Sequence, residues 1–353
     1  MPIFGAEIPC GSRAGFDIVG IRCGSSANKE EDRSMRKIII DTDPGIDDAA
    51  AIAIAMFSPE LDVQLITTVS GNVSVEKTTH NALRLMTLWN AGVPVAAGAS
   101  RSLTGMQYDA GDTHGESGMD GFAFDEVTVQ PVKLHAVEAM RRVLERSEEK
   151  VTLVPIGPLT NLALLFVQYP EVKEKIEEIV LMGGAFLRGN ITPAAEFNIY
   201  VDPEAADIVF RSGLPIVMCG LELANMARIT GPMVDAVRGN NPTAEMIYRL
   251  FEHYRDGDME SGLNMFDSTA VAYLLAPELY TTVDCFVGIE TASPLTRGMT
   301  VCDLDNRLGR TPNVKVCTAV DPAGFQKLFI DALASANGVP ENPTAAMWLY
   351  DEV

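Results

Sequence analysis

Positive charge is scarce in this chain: 27 Lys and Arg stand against 48 Asp and Glu, a formal net charge of −21 over 353 residues. That balance excludes a nucleic-acid binder, because phosphate backbones are held by basic patches that displace counterions. It argues equally against docking on an anionic membrane surface. Apolar runs of bilayer length are missing too. The longest candidate, residues 151–167, is interrupted by Pro155, Gly157 and Pro158. The six cysteines, at 10, 23, 219, 285, 302 and 317, include no CxxC pair and no zinc-type spacing, so they read as buried thiols. Residues 1–34 contain Gly, Ser and a mixed-charge run over 29–33, with no apolar segment suited to a signal sequence. These absences together lead to the expectation of a cytoplasmic protein.

What is present points elsewhere. Hydrophobic residues make up 47% of the chain, enough for a sizeable core and against general disorder. Asp41, Asp43, Asp47 and Asp48 then crowd four carboxylates into eight residues. They follow Lys37-Ile-Ile-Ile40, which reads as a buried strand, and precede the Ala-rich segment 49–57, which reads as a buried helix. The crevice where strand gives way to helix is where open α/β sheets bind ligands. Carboxylates this close raise one another's pKa unless a positive charge intervenes. A divalent cation is the simplest such charge, and a sulfur-free oxygen donor set favours Ca²⁺ or Mg²⁺ over zinc. The ordinary alternative, a helix cap with acids decorating a positive helix terminus, suits one or two of these residues but not four. An EF-hand fails on spacing, since its sixth and twelfth positions, counted from Asp41, hold Ile46 and Ile52.

Strand and helix signals alternate through the chain. Strands are expected near 63–69, 94–97, 151–154, 178–182 and 215–219, and helices over 75–89, 134–146, 158–169 and 203–212. Such alternation predicts an α/β fold, a single doubly wound domain with a mostly parallel central sheet of Rossmann-like type. The domain is expected over 35–335, with a C-terminal tail at 336–353 whose packing the sequence leaves open. Residues 1–34 read as a disordered extension or as a start set upstream of Met35. Residues 240–265 are polar and loop-rich, which suggests a helical flap over the site.

An ordered set of motifs makes the reading specific. Asp41 to Asp48, Gly71-Asn72, Ile156-Gly-Pro-Leu-Thr-Asn161, Met182-Gly-Gly184, Asn190, Ala195-Glu-Phe-Asn198, Asp202-Pro-Glu-Ala205 and Asp267 follow one another along the chain. In that order they resemble the inosine-uridine preferring nucleoside hydrolase family, from about Met35 to about Ser335. Within it, the broad-specificity bacterial ribonucleoside hydrolases are also similar in His114-Gly-Glu-Ser-Gly118 and His253-Tyr-Arg255. The resemblance implies the nucleoside hydrolase fold and Ca²⁺ held by Asp43, Asp48, Asp267 and the backbone carbonyl of Ile156, where many relatives have Thr. A water and the ribose 2′- and 3′-hydroxyls would complete the coordination. It implies hydrolysis of the N-glycosidic bond of a ribonucleoside through an oxocarbenium-like transition state, with Asp43 activating the metal-bound water. Asp47, Asn72, Met182, Asn190, Glu196 and Asn198 match the family's sugar-binding positions. A homodimer or homotetramer is expected on the same ground.

One departure matters. Many relatives place His immediately before the aspartate matching Asp267, as the proton donor to the departing base, whereas this chain has Phe266. A phenyl ring donates no proton. Three readings follow: His114, His253, Tyr254 or Arg255 reaches the base instead; or Phe266 forms a stacking wall while solvent or the flap protonates the base; or pyrimidines turn over weakly. The preferred expectation is retained activity with base choice shifted toward purines. His80 and His135 read as structural or capping residues. Two other functions compete: a Mg²⁺-dependent phosphohydrolase with Asp41 as nucleophile, and a nucleoside-binding protein that has lost its catalytic step. The phosphohydrolase reading lacks the expected downstream Lys and acidic pair.

Overall fold

Ile38, Ile39 and Ile40 are all at most 1% exposed, so the first strand is covered on both faces, as a central strand of a parallel sheet must be. The computed structural model describes residues 35–107, 115–254 and 259–352. Within these, nine strands form one sheet: β1 (Arg36–Thr42), β2 (Leu61–Thr68), β3 (Val95–Ala97), β4 (Val151–Pro155), β5 (Ile176–Met182), β6 (Ile216–Cys219), β7 (Tyr280–Ile289), β8 (Thr300–Asp303) and β9 (Val314–Val320). Their order is β3-β2-β1-β4-β5-β6-β9-β7-β8. Pairing is parallel from β3 through β9 and antiparallel only where β7 joins β9 and β8 joins β7. From β1 the chain builds outward in one direction through β2 and β3, then in the other from β4. The switch point therefore lies between the carboxyl ends of β1 and β4, and the acidic loop follows β1 there.

The helices are α1 (Ile46–Phe57), α2 (Val75–Trp89), α3 (Ala136–Arg146), α4 (Thr160–Gln168), α5 (Phe197–Val201), α6 (Pro203–Phe210), α7 (Leu221–Met226), α8 (Gly231–Asp235), α9 (Pro242–His253), α10 (Phe266–Leu275) and α11 (Pro322–Ser335). Strand alternation divides the core into two layers. Ile38 and Ile40 point into one layer with α1, α2, α9, α10 and α11, and Ile39 points into the other with α3, α4 and α6. Ala49, Ala50, Ala51, Ala53 and Ala55 are fully buried, which lets α1 lie close to the sheet and α10. No helix among the described residues is long and apolar enough to cross a membrane.

The structure departs from the sequence reading at α9 and at β7 to β9, and it packs the C-terminal segment that the sequence leaves open. The expected flap over 240–265 is helical in part, but α9 buries Met246, Ile247, Leu250 and Phe251 completely. Phe251 stacks on Phe329 of α11 with centroids 6.3 Å apart, so this helix belongs to the core. Strands β7 to β9 gave little signal because each mixes exposed or half-buried residues with buried ones, toward the end of the sheet where β7 and β8 run antiparallel. Residues 342–352 pack rather than dangle. A bulge in β2 skips Gln64 in the register with β1, and the Val63 N–H and Gln64 carbonyl both bond to the C-terminal segment. The Asn342 side chain accepts from the first (2.8 Å) and Ala346 N–H donates to the second (2.9 Å). Leu349 is fully buried, and the Arg146 guanidinium lies 3.7 Å above the Trp348 ring. Among the described cysteines, Cys219, Cys285 and Cys317 are buried free thiols and Cys302 is half-buried.

Candidate active site

The acidic loop is shaped from within. The Thr42 hydroxyl donates to Asp48 Oδ1 (2.6 Å), and the Gly45 N–H donates to Asp48 Oδ2 (2.9 Å), which fixes Asp48 at the start of α1. From the end of β2, the Asn72 N–H donates to Asp43 Oδ2 (2.6 Å), and its side-chain amide donates to the Asp43 carbonyl and to Asp48 Oδ2, each at 3.1 Å. Gly71 and Gly157 leave the room that Asp43 occupies: a Cβ on Gly71 would collide with Asp43 Oδ2, and one on Gly157 with Oδ1. Asp43 Oδ1 is buried and has no hydrogen-bond partner. In the first turn of α10, Asp267 joins the loop, so that Asp47, Asp48 and Asp267 bring carboxylate oxygens within 4.8 Å of one another.

These carboxylates are at most 5% exposed. Burial, followed by the charge of Asp48, pushes the Asp43 carboxyl well above the usual range. Burial and then the charges of Asp47, Asp48 and Asp43 do the same to Asp267. Asp48 is raised by burial despite its bonds to Thr42 and Gly45. Mutual repulsion, an all-oxygen donor set and an orphaned buried oxygen together fit a hard divalent cation.

Around this centre, Asn198 of α5 donates to the Ile156 carbonyl (3.0 Å) and the Met182 carbonyl (3.2 Å), drawing the ends of β4 and β5 together. The Ile156 carbonyl keeps a second lone pair. Glu196 is held by three backbone donors, with Oε1 accepting from Asn198 N–H and Oε2 from Gly184 and Ile199 N–H. It thus caps α5 and braces the glycine turn after β5. Asn190 is exposed, and its Oδ1 accepts the Phe197 N–H (3.0 Å), closing the loop that leads into α5. Phe266 is 8% exposed at the start of α10. His253 ends α9 and is exposed beside Gly121. His114 lies outside the described residues, as does Arg255. His135 caps α3 by accepting from Val137 N–H (3.3 Å), and His80 is exposed on α2.

Asp41 is placed for support. Its Oδ1 accepts from Thr67 of β2 (2.5 Å) and Asn161 of α4 (2.8 Å), and the residue is 1% exposed. The two bonds at Oδ1 tie Asp41 to β2 and α4, while its Oδ2, like Asp43 Oδ1, is buried without a hydrogen-bond partner. The sequence reading missed Thr42 and Thr67, whose spacing carries no pattern, and Asn161, which it quoted within a motif but gave no role.

Burial pushes both Asp41 and Glu196 up to about 7. A carboxyl whose folded pKa is raised adds stability that is complete below its ordinary value, near 4, and is lost as pH rises through the folded pKa. In excess chelator, these two groups are therefore expected to make Tm fall between about pH 4 and pH 7 and to add no further fall above about pH 8. A Tm that stays flat or climbs across that window would contradict this account of the two groups.

The model of the inosine-uridine preferring nucleoside hydrolase family matches residues 38–327. The chain is 54% identical over 299 residues to the non-specific ribonucleoside hydrolase of Escherichia coli O6:H1, covering 85% of this chain and 98% of that one. It is 53% identical, over the same shares, to the non-specific ribonucleoside hydrolase of Klebsiella pneumoniae subsp. pneumoniae. Among solved structures, a purine-preferring ribonucleoside hydrolase from Gardnerella vaginalis is similar with a TM-score of 0.80 at 30% identity, over 85% of this chain and 99% of that one.

Proposed function

The chain belongs to the inosine-uridine preferring nucleoside hydrolase family, whose members are glycosidases, and from that premise we propose that it hydrolyses the N-glycosidic bond of ribonucleosides with the aid of Ca²⁺. The observation that supports this reading most is the buried group of Asp47, Asp48 and Asp267 at the switch point, with Asp43 Oδ1 beside it left without a hydrogen-bond partner. Asp43, Asp48, Asp267 and the Ile156 carbonyl would hold the cation. When bound, Ca²⁺ would supply a lowered pKa for a coordinated water and an anchor for the ribose hydroxyls.

The protein's own groups do the rest. Because Asn72 occupies Asp43 Oδ2, Oδ1 is the oxygen available to take a proton from the attacking water. Asp47, Asn72, Asn190, Glu196 and Asn198 are assigned to the ribose, where acceptor oxygens would stabilise positive charge developing on the sugar. Met182 would lie against the same sugar. Phe266 walls the base side without donating a proton, and His114 and His253 are assigned to the base end of the site. Without a donor at position 266, purines are expected to react ahead of pyrimidines, which are the poorer leaving groups when unprotonated.

The test is reducing-sugar release from inosine, adenosine, uridine and cytidine, with and without a Ca²⁺ chelator. The expected outcome is chelator-sensitive ribose release, faster for the purines, with 2′-deoxynucleosides poor substrates. Equal rates on uridine and deoxyuridine would remove the ribose hydroxyls from the cation. Absence of release from all four nucleosides, with Ca²⁺ present and the protein folded, would leave a nucleoside-binding protein.

A further inference from the structure

Asn81 lies on the inner side of α2 and is 1% exposed. Its side-chain amide nitrogen donates to two carbonyls that belong to different loops, Pro44 (3.0 Å) and Ser117 (2.8 Å). Its Oδ1 accepts from the Arg84 guanidinium (3.1 Å) one turn along the helix. Arg84 is itself placed over the Phe124 ring, 5.5 Å from its centroid. A guanidinium only donates, so the amide oxygen must face Arg84 and both amide protons are committed to the two carbonyls. The orientation of this side chain follows from its partners.

The two carbonyls stand in places that matter. Pro44 sits between Asp43 and the start of α1, in the acidic loop itself. Ser117 belongs to the segment that continues from His114, on the side assigned above to the nucleobase. That segment rests on α2. Lys77 Nζ donates to the Glu116 carbonyl (2.6 Å). Gly118 has φ +86°, and a Cβ there would press on Val73 at 2.9 Å and on the Asn81 amide at 3.0 Å. Asn81 is thus the side chain at which the acidic loop and the base-side loop meet.

We propose that Asn81 is a positioning residue that locks these two loops into one unit, so that a base seated against residues 115–121 holds its ribose in register with Asp43. The inference rests on the assignment of the site made under the proposed function. Without Asn81, the Pro44 and Ser117 carbonyls lose their donor and each loop settles independently.

Three variants test it, with kcat and KM measured on inosine in the presence of Ca²⁺. Asn81→Asp keeps the shape but turns an oxygen toward both carbonyls. It is expected to lower kcat/KM about 100-fold, shared between a higher KM and a lower kcat, as the loss of two buried hydrogen bonds implies. Asn81→Ser keeps one donor and should fall between this variant and the wild type. Lys77→Ala frees only the base-side loop and should raise KM about threefold while kcat holds, the effect of one exposed hydrogen bond. A fall in kcat that merely tracks the folded fraction, with KM unmoved in both Asn81 variants, would reduce Asn81 to a structural residue and overturn the proposal.

Amide hydrogen exchange on the same proteins reads the link without turnover. Asn81→Asp should speed exchange in residues 45–48 and 115–121 together, and Lys77→Ala in 115–121 alone. Loosening of one segment only in Asn81→Asp would overturn the coupling. Absence of ribose release by the wild type would instead refute the functional reading, and the exchange result would still decide whether Asn81 joins the loops.

Discussion

Asp43→Asn is expected to lower kcat on inosine by about three orders of magnitude while leaving the protein folded, the range reached when a general base is removed. The substitution preserves shape, and the Asn72 N–H can still find an oxygen at the Oδ2 position. What disappears is the oxygen that faces no protein donor, Oδ1, together with a negative charge that the neighbouring carboxylates resist. Two readouts of opposite sign therefore belong to one variant. Turnover collapses, whereas Tm in excess chelator stays level or rises, because one member of a mutually repelling buried group has been neutralised. Retention of more than about a tenth of the wild-type rate would remove Asp43 from the role of base, since such a role is worth at least about 100-fold.

Gly71→Ala and Gly157→Ala are expected to be nearly as damaging, although every carboxylate survives in both. Each adds one methyl group against an Asp43 oxygen, Gly71 on the Oδ2 side and Gly157 on the Oδ1 side. Neither has room to give, because the Gly71 Cβ would also meet Pro158 at 2.9 Å and the Gly157 Cβ the Asp43 backbone nitrogen at 3.1 Å. The added group must displace Asp43, at a stability cost of about 1–3 kcal/mol for overpacking. A base moved by about 1 Å costs on the order of 100-fold in rate, which is the fall in kcat expected here. Gly92→Ala provides the control. Its Cβ would meet only the Met347 side chain, at 3.6 Å, an ordinary contact, and both rate and Tm should stay near wild type. Wild-type kcat in both Gly71→Ala and Gly157→Ala would show that Asp43 is not held in place by this cradle.

The elements the sequence revealed are those whose signal is local. Helix α2 occupies Val75–Trp89, the same span its apolar spacing predicts, and β1 through β6 appear where short buried runs were read. Where the signal is diluted by solvent exposure, the reading thinned out: β7 to β9 lie at the sheet's margin. Helix α9 looked like a polar flap because its outer face is charged, while its inner face packs against α11. Glu196 and Asn190 show another limit. Their residue types suit sugar binding, but here both also satisfy the amide groups that open α5, a duty that depends on where the chain turns.

What this sequence determined by itself was an inventory and a frame: four acids in one strand-to-helix turn, donors that are all oxygen, and an alternation of strands and helices that fixes a doubly wound sheet. Those properties need only neighbours a few residues apart, which act through backbone geometry and hydrophobic periodicity. Tertiary structure alone decided that Asp43 Oδ1 is buried without a hydrogen-bond partner, that Asp267 closes on a loop formed more than 200 residues earlier, and that Asn161 reaches Asp41 across 120 residues. Carboxylate chemistry is set by burial and by the groups that approach in space, and neither exists until the sheet has assembled.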